Sequence, residues 1–227
     1  MSSGDRLAMP GGVPSRAAFY DRLSAFYDWF AEASEGPLRR RALQALAATR
    51  GERVLEIGVG TGRALPALAR AVGPEGRVLG IDLSAGMLRA ARRHNASSKL
   101  GRTVGLQRGD ARTLPYRSER LDAVFMSFTL ELFDDTGIPV VLREVRRVLR
   151  RGGRLCVVSL VRGEPTTWRA RVYRSLVRRW PRLVDCRPIP LQTCVEQAAF
   201  RLESREVSDV SGLPVDVVVA TKPAKDP

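Results

Sequence analysis

Between Arg53 and Gly62 the chain reads Arg-Val-Leu-Glu-Ile-Gly-Val-Gly-Thr-Gly, an order of residues that few folds accommodate. Val54, Leu55 and Ile57 form a short apolar run suited to a strand buried in a parallel sheet. Glu56 precedes the strand end. Gly58, Gly60 and Gly62 follow at every second position, with Thr61 between the last two. Glycine admits a sharp bend and lets bare N–H groups approach a ligand that a Cβ would keep away. The residues from Ala64 to Val72 read as a helix, so the bend ends at a helix N-terminus with unpaired donors. Strand, glycine bend and helix predict a site for a nucleotide-type cofactor.

Spacing narrows the ligand. A dinucleotide site carries Gly-x-Gly-x-x-Gly, whose third glycine permits close helix–strand packing. Here the third glycine comes one residue early, and Arg63 stands in its place. The next strand-like run, Arg77 to Asp82, ends in a carboxylate placed to accept from two ribose hydroxyls. Leu83 and Met87 are candidates to line an adenine, and Ser84 caps the helix that follows, through about Asn95. After a third run, Thr103 to Gln107, the Asp110 carboxylate is a candidate acceptor for the adenine amino group. The Ala111 N–H is a candidate donor to the ring. A fourth run, Leu121 to Phe128, brings Ser127 to the same end.

From about Phe19 to Leu160 the chain resembles the class I S-adenosylmethionine-dependent methyltransferases, and among them the ubiquinone/menaquinone-biosynthesis C-methyltransferase-like group. Glu56 with Gly-x-Gly-x-Gly matches that family's first motif, Asp82 its ribose acid, and Asp110-Ala111 its adenine motif. Leu121-Asp-Ala-Val-Phe-Met-Ser-Phe128 resembles its fourth strand, and Val148-Leu-Arg-Arg-Gly-Gly-Arg-Leu155 its turn into the fifth. Members usually carry Pro where this chain has Arg151. The resemblance implies S-adenosylmethionine as cofactor, held by Glu56, Gly58, Gly60, Thr61, Gly62, Asp82, Leu83, Met87, Asp110, Ala111 and Ser127. It also implies methyl transfer to an apolar small molecule, a quinone precursor or a lipid.

Such a transfer is an in-line displacement that needs an aligned nucleophile about 3–3.5 Å from the methyl group. It needs no metal and no covalent enzyme intermediate. A base would help a phenolic acceptor. His94, Tyr20, Tyr27, Asp28 and Glu131 are candidates, none compelling, so the catalytic assignment stays open. A nucleic-acid methyltransferase is the in-class alternative, but Ser127-Phe128-Thr129-Leu130 stands where an Asn/Asp-Pro-Pro-Tyr motif for a flipped base would lie. A nicotinamide oxidoreductase is disfavoured by Arg63. A non-catalytic cofactor-binding protein is the third alternative.

At 227 residues the chain suits one α/β domain. Alternating strand and helix patterns predict a Rossmann-like, seven-stranded, mostly parallel sheet with helices on both faces. A fifth strand is expected at Arg154–Leu160, after a helix from Val140 that Gly152-Gly153 would end. Two further runs, Arg205 to Val210 and Val215 to Thr221, have a connection short enough for an antiparallel pair. Residues 1–16 read as a mobile tail, 17–48 as a helical lid rich in aromatics, and 53–160 as the cofactor-binding core. Residues 161–227 hold a substrate-side amphipathic helix, with Trp168, Tyr173 and Trp180 on one face, and the terminal strands.

The formal charge of +14 invites a nucleic-acid reading. Yet Lys99, Lys222 and Lys225 are the only lysines, and the arginines are scattered, as a coding bias would scatter them. The expected partner is therefore a small molecule and no nucleic acid, with peripheral contact to an anionic membrane left open. Cys156, Cys186 and Cys194 lack metal-site spacing. No signal core or membrane-spanning run is present, which predicts a cytoplasmic protein.

Overall fold

The computed structural model describes residues 36–96, 103–161, 188–210 and 212–224. The tail at 1–16, the aromatic helix expected from 17 and the amphipathic helix expected between 164 and 181 lie outside the described residues. So do Tyr20, Tyr27 and Asp28.

Residues 36–46 are helical (α1). The elements that follow are β1 (Arg53–Ile57), α2 (Leu65–Val72), β2 (Arg77–Asp82), α3 (Ala85–His94), β3 (Val104–Arg108) and β4 (Leu121–Ser127). A short 3-10 turn at Leu130–Leu132 leads to α4 (Gly137–Val148), β5 (Leu149–Leu160), α5 (Leu191–Gln197), β6 (Arg201–Val210) and β7 (Leu213–Thr221). The seven strands lie in the order β3-β2-β1-β4-β5-β7-β6. β1 to β5 run parallel, while β7 is antiparallel to both β5 and β6. This is the expected mostly parallel sheet with an antiparallel C-terminal pair.

Chain order explains where a site can form. From β1 the chain steps outward to β2 and β3, then returns to place β4 on the other flank of β1. The connections leaving β1 and β4 therefore diverge, and a crevice opens at their C-terminal ends, the usual ligand position in such sheets.

Strand alternation builds two cores. Val54, Val78, Phe125, Cys156 and Val158 face one side, against Leu38, Ala42 and Leu46 of α1 and Leu65 and Leu68 of α2. Leu55, Ile57, Val124, Met126 and Val157 face the other, against Val141, Leu142 and Val145 of α4 and Val195 of α5. All of the strand residues among these are at most 1% exposed. Cys156 lies in the first of these cores, and burial pushes its thiol pKa up to about 12.

Several boundaries differ from the sequence pattern. Gly152-Gly153 does not end α4; the helix stops at Val148, and β5 begins at Leu149. Pairing with β4 jumps from Leu121↔Leu149 to Ala123↔Arg154, so β5 carries a bulge there. Gly152, at φ 71, fits that bulge and donates its N–H to Lys222 O at 2.9 Å. β6 begins four residues before the expected Arg205, because an edge strand that is mostly exposed shows no apolar alternation to read. α5 ends at Gln197, although the sequence from Leu191 suggests a short helix to about Phe200, and Ala199 at φ 58 reverses the chain just after it.

Arg154 fastens α1 to the sheet. Its guanidinium donates to Leu46 O (3.0 Å) and Ala47 O (3.3 Å) at the C-terminal end of α1, where unpaired carbonyls and the helix dipole favour a cation. It also meets both oxygens of Glu52 at 2.8 and 2.6 Å. Glu52 in turn takes the Thr49 N–H at 3.0 Å, which fixes the turn into β1. Arg154→Ala leaves a 9%-exposed carboxylate and two helix carbonyls without their cation. Its unfolding free energy should fall by about 1.5–3 kcal/mol in urea titrations, the scale of a charged hydrogen bond.

Candidate functional site

The bend after β1 is held from two directions. Gly58 and Val59 donate their N–H groups to Ile81 O at 2.8 and 3.3 Å, continuing the β1–β2 pairing past the strand end. Gly60 then donates to Asp82 Oδ2 at 2.8 Å. On the far side, Asn95 at the end of α3 donates from Nδ2 to Gly62 O (3.1 Å) and Ala91 O (2.8 Å). Asn95 and its brace were not foreseen from sequence, although an Asn ending a helix is a recognisable cap.

The three glycines differ in what they are needed for. All have positive φ: 72, 54 and 78 degrees at Gly58, Gly60 and Gly62. A Cβ at Gly58 would overlap the Thr129 side chain, and one at Gly62 would lie 2.7 Å from Asn95 Nδ2 and 2.9 Å from the Ala91 Cβ. These two permit close packing within the protein. At Gly60 a Cβ would meet none of the described residues within 4 Å. Its bare backbone faces open space, as a ligand cradle requires.

Glu56 lies behind the cradle, only 4% exposed, and its Oε2 has no hydrogen-bond partner among the described residues. Burial raises its pKa from 4.5 to about 8, with Arg39 of α1 drawing it down and Asp82 pushing it further up. A buried carboxyl with one orphan oxygen beside a second acid is a receptor for a cation. Asp82 itself spans the crevice: Oδ2 holds Gly60, and Oδ1 accepts the Ser84 N–H at 2.8 Å. Ser84 caps α3 as expected, its side chain accepting the Met87 N–H at 3.1 Å.

Leu83 is 47% exposed beside the crevice, one of two large apolar side chains so exposed among the described residues. Arg108 fixes its backbone by donating from Nε to Leu83 O at 3.0 Å. Met87 and Ala111 are buried, at 5% and 6%. Asp110 is held by Arg112, which sequence reasoning missed: the guanidinium lies 2.6 Å from Oδ2, and the Arg112 N–H donates to Oδ1 at 2.9 Å. Those bonds keep the Asp110 carboxyl below its usual range. Ser127 ends β4 with its carbonyl accepting from Thr129 Oγ1 at 3.0 Å, and Thr61 is half-buried in the bend.

The fold thus gathers Glu56, the glycine bend, Asp82, Leu83, Asp110 and Ser127 at the C-terminal ends of four adjacent strands. An amino-acid-bearing nucleoside fits this set: a cation receptor, an open backbone cradle, a carboxylate on the neighbouring strand and an exposed apolar side chain. Among the candidate bases, His94 is exposed at the end of α3. Glu131 is fully buried, with Oε1 accepting the Leu160 N–H at 3.3 Å, which ties the β4 and β5 ends together.

Residues 54–153 match the family model of a methyltransferase domain. Over 128 residues the chain is 38% identical to the demethylmenaquinone methyltransferase of Staphylococcus aureus, a match covering 56% of this chain and 50% of that protein. The chain thus spans about half the length of the curated relatives it matches. A SAM-dependent methyltransferase structure from Aquifex aeolicus shares the fold with a TM-score of 0.68 and 20% identity, over 89% of this chain and 98% of that one. The Haemonchus contortus phosphoethanolamine N-methyltransferase 2 structure, in complex with S-adenosyl-L-methionine, gives a TM-score of 0.73 at 18% identity, over 95% and 61%. Residues 54–153 thus match a methyltransferase domain, and the chain shares the Rossmann-like fold of these structures.

The Glu56 environment predicts a pH effect on stability. Its folded pKa lies above its unfolded value, so between 4.5 and about 8 the folded chain holds a proton that the unfolded chain has lost. Stability from this residue therefore falls as pH rises across that window. Urea midpoints of Glu56→Gln should show a shallower decline over the same range than those of the unsubstituted protein.

Proposed function

We propose that this chain, whose residues 54–153 match a methyltransferase domain, is an S-adenosylmethionine-dependent enzyme that methylates an apolar small molecule, a quinone precursor or a lipid. The observation that carries the reading is the open bend at Gly60, set between Asp82 and a Glu56 oxygen with no partner among the described residues. S-adenosylmethionine, when bound, supplies an electrophilic methyl group on a sulfonium.

The chain's own residues bind and orient. The bend at Gly58, Gly60, Thr61 and Gly62 receives the amino-acid end, and Glu56 ionises as it meets an ammonium group. Asp82, at the end of β2, accepts from the ribose hydroxyls. Leu83 and Met87 cover one face of the adenine, and Asp110, held ionised by Arg112, accepts from its amino group beside the Ala111 N–H. Ser127 closes the crevice at the end of β4.

An apolar ring acceptor is supported by the Staphylococcus aureus relative, whose name refers to demethylmenaquinone. A cytoplasmic place and a peripheral membrane contact on the crevice side belong to the same proposal. No helix among the described residues is long and apolar enough to cross a membrane.

Two measurements test the reading. Gly60→Ala places a methyl in the cradle at a positive φ, costing about 1–2 kcal/mol of stability. Calorimetric affinity for S-adenosylmethionine should fall at least tenfold while the domain stays folded; an unchanged affinity refutes the cradle. Incubation of the full chain with radiolabelled S-adenosylmethionine and quinone, phenolic or lipid extracts should label an apolar product. Label appearing only in added RNA or DNA would move the assignment to nucleic acid, and binding without transfer to any acceptor would leave a non-catalytic protein.

A further inference from the structure

At the opposite end of the sheet, where β1 and β4 begin, a cavity of about 380 Å³ opens among Arg53, Leu79, Tyr116, Arg117, Arg120 and Leu121. Its size falls in the range of small-molecule sites. Leu79 is only half-buried, because Gly105 stands opposite it on β3 and offers no side chain to cover it. Tyr116 is also half-buried, and burial raises its phenol pKa. The floor is therefore apolar and partly aromatic, and the rim is basic.

That rim carries uncompensated charge. The acids around it are already engaged. Asp122 takes the Arg53 backbone N–H at 2.8 Å and Arg150 Nε at 2.5 Å. Glu119 lies 3.0 Å from Lys222 Nζ, and Glu144 meets Arg147 and the Leu114 N–H. The guanidinium groups of Arg53, Arg117 and Arg120 have no acidic partner among the described residues. Arg77 sits at the paired register position beside Arg53, so two cations project side by side from adjacent parallel strands. Like charges in direct register repel, and an anion bound between them would relieve that repulsion.

We propose that this cavity binds a soluble phosphate-bearing small molecule, the phosphoryl group held by Arg53, Arg117 and Arg120 and an apolar or ring portion lying on Leu79 and Tyr116. Guanidinium forks match phosphate oxygens geometrically, and planar groups stack on a phenol face. A membrane surface is disfavoured, since contact here would hold the crevice away from the bilayer; that exclusion, though not the site, rests on the proposed methyl transfer to an apolar acceptor.

The test uses inorganic pyrophosphate titrated calorimetrically into the full chain at low ionic strength, without cofactor. Saturable binding should appear, and weaken at least about tenfold in both Arg53→Gln and Arg120→Gln, each loss being that of a charge-assisted hydrogen bond. Both variants should keep the melting temperature and the S-adenosylmethionine affinity of the unsubstituted protein. Absence of saturable binding, or binding indifferent to both substitutions, overturns the proposal. So does sedimentation with phosphatidylcholine–phosphatidylserine vesicles, or retention on RNA, that depends on Arg120 while pyrophosphate fails to bind. Since no cofactor is present in the titration, failure here is separate from failure of the methyl-transfer reading.

Discussion

A single carboxylate oxygen, Oδ2 of Asp82, takes the Gly60 N–H at 2.8 Å, and through it the ends of β1 and β2 become one surface. The other oxygen of the same group takes the Ser84 N–H, which sets the start of α3. At its far end α3 supplies Asn95, whose amide returns to Gly62 O. The circuit closes: bend, acid, helix, amide and bend again. Three residues at positive φ would otherwise cost conformational entropy that glycine loses more heavily than any other residue. The bonds of this circuit offset that cost and leave the Gly60 backbone fixed toward the crevice before any ligand arrives.

The acids at the crevice are held in different states by their surroundings. Glu56 is buried and lies near Asp82, so it keeps its proton near neutrality. Asp110 lies at the surface against Arg112 and stays ionised. Burial on one side and a guanidinium on the other separate two carboxyl groups that model peptides would titrate together. A ligand with a positive end and a hydrogen-bonding end is received by the group suited to each.

Much of this was legible in the chain. Val54, Leu55 and Ile57 identify β1 because a strand buried on both faces needs no alternation, and Asp82 is marked by its place at the next strand end. The seven strands and their parallel and antiparallel blocks follow from the same periodicities. What stayed hidden depends on contacts distant in sequence. Asn95 acts on a residue 33 positions away, and Arg154 reaches 102 positions back to Glu52. No local pattern distinguishes such residues from solvated ones. Arg112 was hidden for another reason: in a chain so rich in arginine, one more near an acid carries little signal. The start of β6 was missed because an exposed edge strand has no buried face to impose a pattern.

The strand order carries a consequence for how the molecule is made. β7 lies between β5 and β6, so β6 has no neighbour in the sheet until residues 213–221 exist. On a ribosome the five parallel strands have their pairing partners early, while the far side of β5 waits as an open hydrogen-bonding edge. Val215, Val217 and Val219 must slide into that gap last, carrying β6 outward with them. The edge left at the end is β6, with Arg201, Glu203, Arg205 and Glu206 along it, a charged fringe that discourages a neighbouring chain from adding an eighth strand.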